Sequence, residues 1–322
     1  MKFDTIIQNP PYKGTLHFDF MEKGLDLLSE NGKMVIIEPA TWVINIRKNG
    51  NAKTKYNPMK EKLKGHIKSI KIENYNKEFG ITNQVPISIT TIDMNNYYPT
   101  IEFTCLGITK KVSSIYDCNL IGSYNTIWSI FDKVVKYGDM MKKHTTKKDM
   151  GDGYWYGKYQ EIGRCGCSSG DRAHLDSYYY NNVFKYFYFN GLDDRDDISN
   201  KIIKTKDDGG HYTEKDANCV YGTKEEIENW KHFIYNNKLS LFINYCLSIS
   251  QNNNSKDFLP WLVDKQYTDD EINKMFGFTN EEIELINKTI KKYERNSPWF
   301  KRYMCGADSV SDDEVNNFIK NL

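Results

Sequence analysis

"FDTIIQNPPY", residues 3 to 12, decides both the fold class and the position of a candidate site. The run FDTIIQ is short and apolar and is ended by prolines, which is typical of a buried parallel strand. Asn9, Pro10, Pro11 and Tyr12 follow it immediately. Ligands of open α/β sheets bind just beyond the carboxyl ends of strands, so these four residues stand where a ligand site is expected.

The sequence that follows predicts a crossover unit. Apolar residues at helical spacing between His17 and Ser29 predict a helix, which ENGK (30–33) is expected to close. KMVIIEP (33–39) then predicts a second buried strand. Strand, helix and strand in this order form a right-handed crossover unit of an α/β sheet. Alternating β-branched residues predict further strands at 66–74, 85–94 and 101–107, so the α/β part is expected to end near residue 110.

A second domain is predicted after residue 110, because the pattern changes there to helices and irregular, aromatic-rich stretches. Residues 125–137 carry apolar side chains at helical spacing. Three later helices are expected to begin with capping boxes, in which a threonine and a glutamate three residues on bond the first-turn N–H groups reciprocally. The pairs are Thr223 with Glu226, Thr268 with Glu271, and Thr279 with Glu282.

Composition sets broad limits on function. The 322 residues carry 44 basic and 43 acidic side chains, so no global field points to nucleic acid, and any polyanion site must come from local clustering. Seven cysteines without a repeating spacing fit a reducing compartment better than a disulfide framework, which predicts a cytoplasmic protein. No apolar run reaches the roughly 18 residues of a membrane span, so no membrane role is expected.

The residue types of the motif suit the alkylation of an aromatic amine. Such an amine is a poor nucleophile because its lone pair is delocalised into the ring. Two acceptors aimed at its hydrogens, the Asn9 side-chain oxygen and a prolyl carbonyl, favour the pyramidal nitrogen that can attack a methyl group. Tyr12 can stack on the base, an interaction worth about 1–3 kcal/mol. An ordinary proline turn could give the same four letters, so their place between a strand and a helix matters.

In that place, DTIIQNPPY resembles the catalytic motif of the adenine-N6 DNA methyltransferases of restriction and modification systems. FMEKGLDLLSENGKMVIIEPATWV (20–43) is similar to the helix, glycine turn and proline-ended strand that follow it in the family. NKEFGITNQVPISITTID (76–93) resembles the segment that places an aromatic, here Phe79, beyond the extruded base. Residues 258–290 look like a C-terminal stretch of large modification methylases. The likeness covers about the first 95 residues well and the rest thinly.

The resemblance implies an α/β fold in two parts. Residues 1–110 would form a partial, Rossmann-like sheet of an S-adenosylmethionine-dependent methyltransferase, and residues 111–322 an α+β target-recognition domain that binds double-stranded DNA. S-adenosylmethionine would be the methyl donor, no metal is expected, and base flipping would bring the target out of the duplex.

The resemblance also assigns roles to residues. Asn9 and Pro10, with Pro11, would hold the amine, Tyr12 and Phe79 would sandwich the base, and Lys13 is a further candidate for substrate binding. The same motif serves enzymes that methylate protein glutamine amides or the exocyclic amine of guanine in RNA. The long chain after the catalytic half favours DNA, because a reader of base edges needs a surface of its own.

The donor-binding loop of the family is missing from its usual place. A glycine-rich loop and an acidic ribose ligand precede the motif in these enzymes, whereas eight residues precede Asn9 here. A permuted loop would have to lie later, and none of the nearest candidates follows a convincing apolar strand: DMGDGYWYG (149–157), KDDGGHY (206–212) and FGFTN (276–280).

Without that half, strand 3–8 would have an unpaired edge, which is an association hazard. The leading hypothesis is that a second chain supplies the cofactor-binding half of a split DNA adenine-N6 methyltransferase. The alternative is a catalytically inactive DNA-binding remnant or a module that mimics a methylase. No nuclease motif is evident.

Other clusters have two interpretations each. The cysteine pair at 165 and 167, with His174, His211 and Cys219, could bind zinc, but C-x-C is not the usual knuckle spacing and free thiols are favoured. YYYNNVFKYFYF (178–189) could stack on bases, although a buried sheet face is favoured. The basic stretches at 45–55 and 142–148, and Arg164 and Arg172, could contact DNA or be ordinary surface.

Overall fold

The computed structural model describes residues 1–48, 50–80, 86–144, 155–158, 202–204, 219–247, 257–294 and 296–322. Two compact units contain them, one of Met1–Tyr124 with Asn296–Leu322 and the other of Asn125–Arg295. The first unit therefore takes in the C-terminal segment, and its limits differ from the predicted functional boundary at residue 110. Within the described parts of the chain, no helix is both long and apolar enough to cross a membrane.

A six-stranded mixed sheet gives the first unit its α/β fold. Its strands are β1 (Phe3–Gln8), β2 (Leu28–Pro39), β3 (Ile67–Glu73), β4 (Ile87–Asp93), β5 (Ile101–Cys105) and β6 (Ile108–Val112), in the spatial order β1-β2-β4-β3-β5-β6. The pairs β1/β2 and β3/β5 are parallel, and the other neighbours are antiparallel. The carboxyl ends of β1, β2 and β3 therefore lie at the same edge of the sheet.

Helix α1 (Leu16–Leu27) connects β1 to β2 and covers one face of that pair. It buries Phe18 and Met21, as the helical spacing predicts. The backbone of α1 approaches the sheet closely at Gly24, where an added Cβ would stand 2.8 Å from Met34 Sδ. After β2 come α2 (Thr41–Ile44), a π-helical turn (Ala52–Tyr56) and α3 (Asn57–Lys62), which lead into β3.

The prediction that ENGK closes the first helix is wrong. α1 ends at Leu27, and β2 begins at Leu28 and includes ENGK. The pairing with β1 jumps from Phe3 opposite Leu28 to Thr5 opposite Lys33, so the extra residues form an irregularity within the strand. Gly32 makes this possible, because an added Cβ would lie 2.6 Å from Leu28 Cγ.

The predicted strands at 66–74, 85–94 and 101–107 are confirmed as β3, β4 and β5, whereas β6 was not predicted. β5 and β6 form a hairpin in which Cys105 pairs with Ile108. The two turn residues both have positive φ, 47° at Leu106 and 84° at Gly107, as tight hairpin turns of this kind require.

The second unit contains helices and a small antiparallel sheet. The strands β7 (Trp155–Lys158), β8 (Ile202–Lys204) and β9 (Cys219–Gly222) pair in the order β8-β7-β9. The helices are α4 (Tyr124–Val135), α5 (Lys224–Asn236), α6 (Lys238–Leu247), α7 (Asp269–Phe276) and α8 (Asn280–Lys292). The predicted helix at 125–137 is confirmed as α4, and all three predicted capping boxes are confirmed, at the starts of α5, α7 and α8.

Two C-terminal helices, α9 (Pro298–Cys305) and α10 (Asp312–Lys320), belong to the first unit. Arg302 of α9 is buried and bonds both carboxylate oxygens of Glu73, Nε to Oε1 at 3.1 Å and Nη2 to Oε2 at 2.8 Å. Arg302 also contacts Asp312, and the side chain of Asn74 donates to the carbonyl of Tyr303. Through these contacts the C-terminal segment packs against the end of β3.

Candidate functional site

The motif forms the loop between β1 and α1, so the predicted order of strand, loop and helix is confirmed. Gln8, the last residue of β1, pairs with Ile36, and the motif therefore leaves the sheet beside the last residues of β2. Asn9, Pro11 and Lys13 are exposed, Pro10 is buried, and Tyr12 is half-buried. Gly14, with φ 59°, supplies the left-handed turn that leads into α1.

A hydrogen bond joins two side chains of the motif. The Tyr12 hydroxyl donates to Asn9 Oδ1 across 2.7 Å. Burial, and secondly the charge of Glu38, raise the pKa of Tyr12 to about 12, so the phenol keeps its proton at neutral pH. An amide oxygen has two lone pairs. An incoming amine must therefore share Asn9 Oδ1 with Tyr12 or displace the hydroxyl.

A buried acid, Glu38, lies beside the motif near the end of β2 and was not among the predicted site residues. Burial raises the pKa of Glu38 well above its usual range, and the Trp42 side chain opposes this in part. The sequence carried a signal for this residue. Met34, Ile36 and Glu38 alternate along one face of β2, so a strand that buries the first two also buries the third.

A lysine side chain contacts the loop that follows the motif. Lys55, from the π-helical turn, donates to Thr15 Oγ1 across 3.0 Å and lies 3.4 Å from Asp19 Oδ1. The described part of the basic stretch at 45–55 therefore reaches the loop that follows the motif. His17, in the first turn of α1, is 2% exposed, and burial followed by the charge of Lys55 lowers its pKa to about 4. His17 is thus neutral at physiological pH.

Phe79 follows β3 and is 39% exposed, with its ring 6.2 Å from that of Tyr75. β1 and β3 end at the same edge of the sheet, so Phe79 and the motif both follow strands that end at this edge. Residues 81–85, which follow Phe79, lie outside the described parts of the chain. Pairing of Phe79 with Tyr12 across a base stays a prediction.

The outer side of β1 is open. β1 is an edge strand, paired with β2 alone in the described sheet. Ile7 is 74% exposed and Phe3 is 43% exposed, and both point to the face opposite α1. Val35, which pairs with Ile7, is half-buried on the same face. Parallel strands are normally buried on both faces, so this edge and face are incompletely covered.

No donor-binding loop is found among the described residues. FGFTN contains Gly277, which has φ 59° and ends α7 as a left-handed helix cap. Most of the other two glycine-rich candidates lies outside the described parts, as do the cysteines at 165 and 167, Arg164, Arg172, His174, His211 and the segment 178–189. In the described parts, no group of three or more His, Cys, Asp or Glu side chains could hold a metal ion.

Comparisons with known proteins show a weak structural likeness. No protein-family model matches the chain, and no curated protein matches it in sequence. Among solved structures, the chain is similar to the methyltransferase subunit of a type I restriction-modification system from Streptococcus thermophilus, at 18% sequence identity and a TM-score of 0.25. The match covers 35% of this chain and 28% of that subunit, so the chain spans less than a third of the subunit's length.

Proposed function

We propose that this chain carries the catalytic motif and the target-recognition part of a DNA adenine-N6 methyltransferase. The single observation that carries the proposal is the position of Asn9-Pro10-Pro11-Tyr12 at the carboxyl end of the parallel pair β1/β2, with the Asn9 amide exposed. This is the edge at which open α/β sheets bind ligands. The residue types there suit an amine that must be made nucleophilic without a strong base.

Each motif residue then has a defined task. Asn9 Oδ1 and the Pro10 carbonyl accept the two amine hydrogens, and proline is suited to this because it cannot compete as a donor. Tyr12 leaves Asn9 and stacks on the flipped base, with Phe79 on the other side, at about 1–3 kcal/mol for each stacking contact. Lys13 is exposed beside the motif and is available to a phosphate. Residues from about 111 onward would recognise the DNA site.

S-adenosylmethionine would supply the methyl group, but the described residues do not provide a loop that fits it. We propose that a second protein chain binds the donor and also completes the sheet at β1. An edge strand presents a row of unpaired N–H and C=O groups, and another strand satisfies them. Ile7, at 74% exposure, would be buried by the same association. This arrangement explains why no element in the described part of the first unit covers the edge of β1.

Methyl transfer tests the enzymatic part of the proposal. The chain is combined with candidate partner chains, and transfer of labelled methyl groups to DNA is followed by mapping of the modified base. We expect N6-methyladenine with the wild type, and Asn9→Ala should reduce transfer by at least 100-fold while DNA affinity changes little. Absence of transfer with every partner and donor, alongside retained DNA binding, would favour the inactive DNA-binding module instead.

A substitution on β1 tests whether a partner chain binds at this edge of the sheet. Ile7→Lys should abolish capture of the partner chain, because it places a charge on the surface to be buried, while the exposed position leaves the first unit folded. Val135→Lys, at a side chain of α4 that is 43% exposed, is the matched control and should leave capture unchanged. Tight donor binding by the isolated chain would contradict the split arrangement.

A further inference from the structure

Glu38 is a buried acid that forms no hydrogen bond with its side chain. Its exposure is 0%, and neither carboxyl oxygen has a partner within the described residues. It is the last residue but one of β2, at the carboxyl end of the pair that holds the motif. Buried polar groups are nearly always bonded, so an unbonded acid at a ligand-binding edge requires an explanation.

The surroundings of Glu38 are polar but do not satisfy it. A hydrogen-bonding interaction with the Trp42 side chain opposes the rise in the pKa of Glu38, but the two side chains do not reach the geometry of a full hydrogen bond, and Trp42 Nε1 has no other partner among the described residues. Tyr12 and Tyr56 are close enough for Glu38 to influence them electrostatically. Thr90 on β4 lies opposite Ile36, on the face that carries Glu38, and its hydroxyl is buried without a partner as well. Glu38, Trp42 and Thr90 are thus buried without a hydrogen-bond partner for these side-chain atoms among the described residues.

A contribution to stability does not explain why a glutamate is buried at position 38. An unsatisfied buried polar group costs about 1–3 kcal/mol, and an apolar side chain of similar volume would remove that cost. Burial favours the neutral form of Glu38, and in that form the side chain offers one O–H donor and one C=O acceptor. The O–H has no acceptor in the described structure. A ligand that brings an acceptor to this point would be recognised by Glu38.

We propose that Glu38 is a specificity-determining residue, whose neutral carboxyl donates a hydrogen bond to the ring nitrogen beside the amine-bearing carbon of the base. This role rests on the proposed function, because it needs the base that Asn9 holds. Glu38 influences Tyr12 of the motif electrostatically, and in the proposed function the Tyr12 hydroxyl leaves Asn9 when the base arrives. For the base to reach Glu38, this movement must also open a path to the buried acid. Bases with an N–H at this ring position, such as hypoxanthine, present a second donor and are rejected.

Binding of free bases tests Glu38 without any need for methyl transfer. Adenine and 1-deazaadenine, which keeps the amine but lacks the ring nitrogen, are titrated into the full chain and followed by NMR. The wild type should bind adenine about fivefold more tightly than 1-deazaadenine, as one neutral hydrogen bond provides. Glu38→Gln keeps a donor and an acceptor and should retain the preference. Glu38→Met should lose it while being at least as stable as the wild type.

The outcomes separate this role from the function itself. Equal binding of the two bases by the wild type, or an unchanged preference in Glu38→Met, would overturn the role of Glu38 and leave methyl transfer to be judged by the Asn9 experiment. Failure of the wild type to bind either base would also overturn it. Loss of the preference in Glu38→Gln as well as in Glu38→Met would contradict the role of Glu38 as a hydrogen-bond donor, because glutamine keeps an N–H donor at this position.

Discussion

At the scale of single residues, His17 is expected to make the first unit sensitive to acid. Its folded pKa of about 4 lies below the ordinary value of 6.5, so the unfolded chain takes up a proton first as the pH falls. The contribution of His17 to the free energy of unfolding is complete above pH 6.5 and is lost as the pH falls towards 4. At pH 4.5 the loss of unfolding free energy from this group is about 2–3 kcal/mol.

Denaturant unfolding at pH 7 and pH 4.5 measures this effect, and His17→Phe removes it. The variant should be about as stable as the wild type at pH 7, because neither ring nitrogen of His17 has a hydrogen-bond partner among the described residues. Its loss of stability between the two pH values should be smaller than that of the wild type by about 2–3 kcal/mol. An equal loss in both proteins would contradict the assignment.

Residues differ in how far their environment can be predicted from sequence. The place of Asn9 to Tyr12 follows from local signals, since prolines end a strand and a helical spacing begins soon after. The burial of His17 and Glu38 depends on which elements pack over them, and that is a tertiary property. For Glu38 the alternation of β2 gave a partial signal. For His17 the helical spacing identified Phe18 and Met21 but gave no reason to bury the imidazole.

At the scale of elements, the start of α8 should matter more than that of α7, although both have the same capping box. Glu282 is 3% exposed and accepts bonds from Ser129 and Lys133 of α4 in addition to the backbone N–H of Thr279. Burial alone would raise its pKa, but these bonds lower it. Removal of its carboxylate would leave the Lys133 ammonium without its buried partner.

Glu282→Ala should therefore destabilise the second unit by about 3 kcal/mol. Glu271→Ala, in the box of α7, is the matched control and should cause a smaller loss, because Glu271 is exposed and its partner Lys265 is exposed too. Hydrogen exchange of the α8 amides under native conditions compares the stability of this helix in the two variants. Equal protection in the two variants would show that the contacts to α4 add nothing to the cap.

Element starts are predicted better than element ends and turns. The capping boxes of α5, α7 and α8 were predicted because a hydroxyl and a carboxylate at fixed spacing are a local signal. The same box at Ser311 and Glu314 was not identified, although the structure contains it. ENGK was misread because Asn-Gly usually ends a helix, whereas here Gly32 serves close packing within β2. The β5/β6 turn has a non-glycine residue, Leu106, at positive φ, which sequence reasoning does not expect.

At the scale of the whole molecule, the chain returns to its first unit at the end. The sequence pattern predicts one domain after residue 110, because local patterns do not report which distant elements meet. The insertion of β4 between β2 and β3 is a non-local pairing of the same kind. α9 adds Trp299 and Phe300, each 1% exposed, to the core of the first unit. Glu73 is also buried there, and Arg302 is its partner.

Removal of residues 296–322 should therefore unfold the first unit. Each buried aromatic contributes about 1.5–3 kcal/mol, and loss of one partner of a buried ion pair costs about 3–5 kcal/mol, which together approach the whole stability of a domain. A chain of residues 1–295 should lose hydrogen-exchange protection in β3 and β5, and a separate peptide of residues 296–322 should restore it. The same peptide with Arg302→Ala should restore much less, because Glu73 stays buried without its partner. Full protection of β3 and β5 in the shortened chain would show that the sheet is stable without the returning segment.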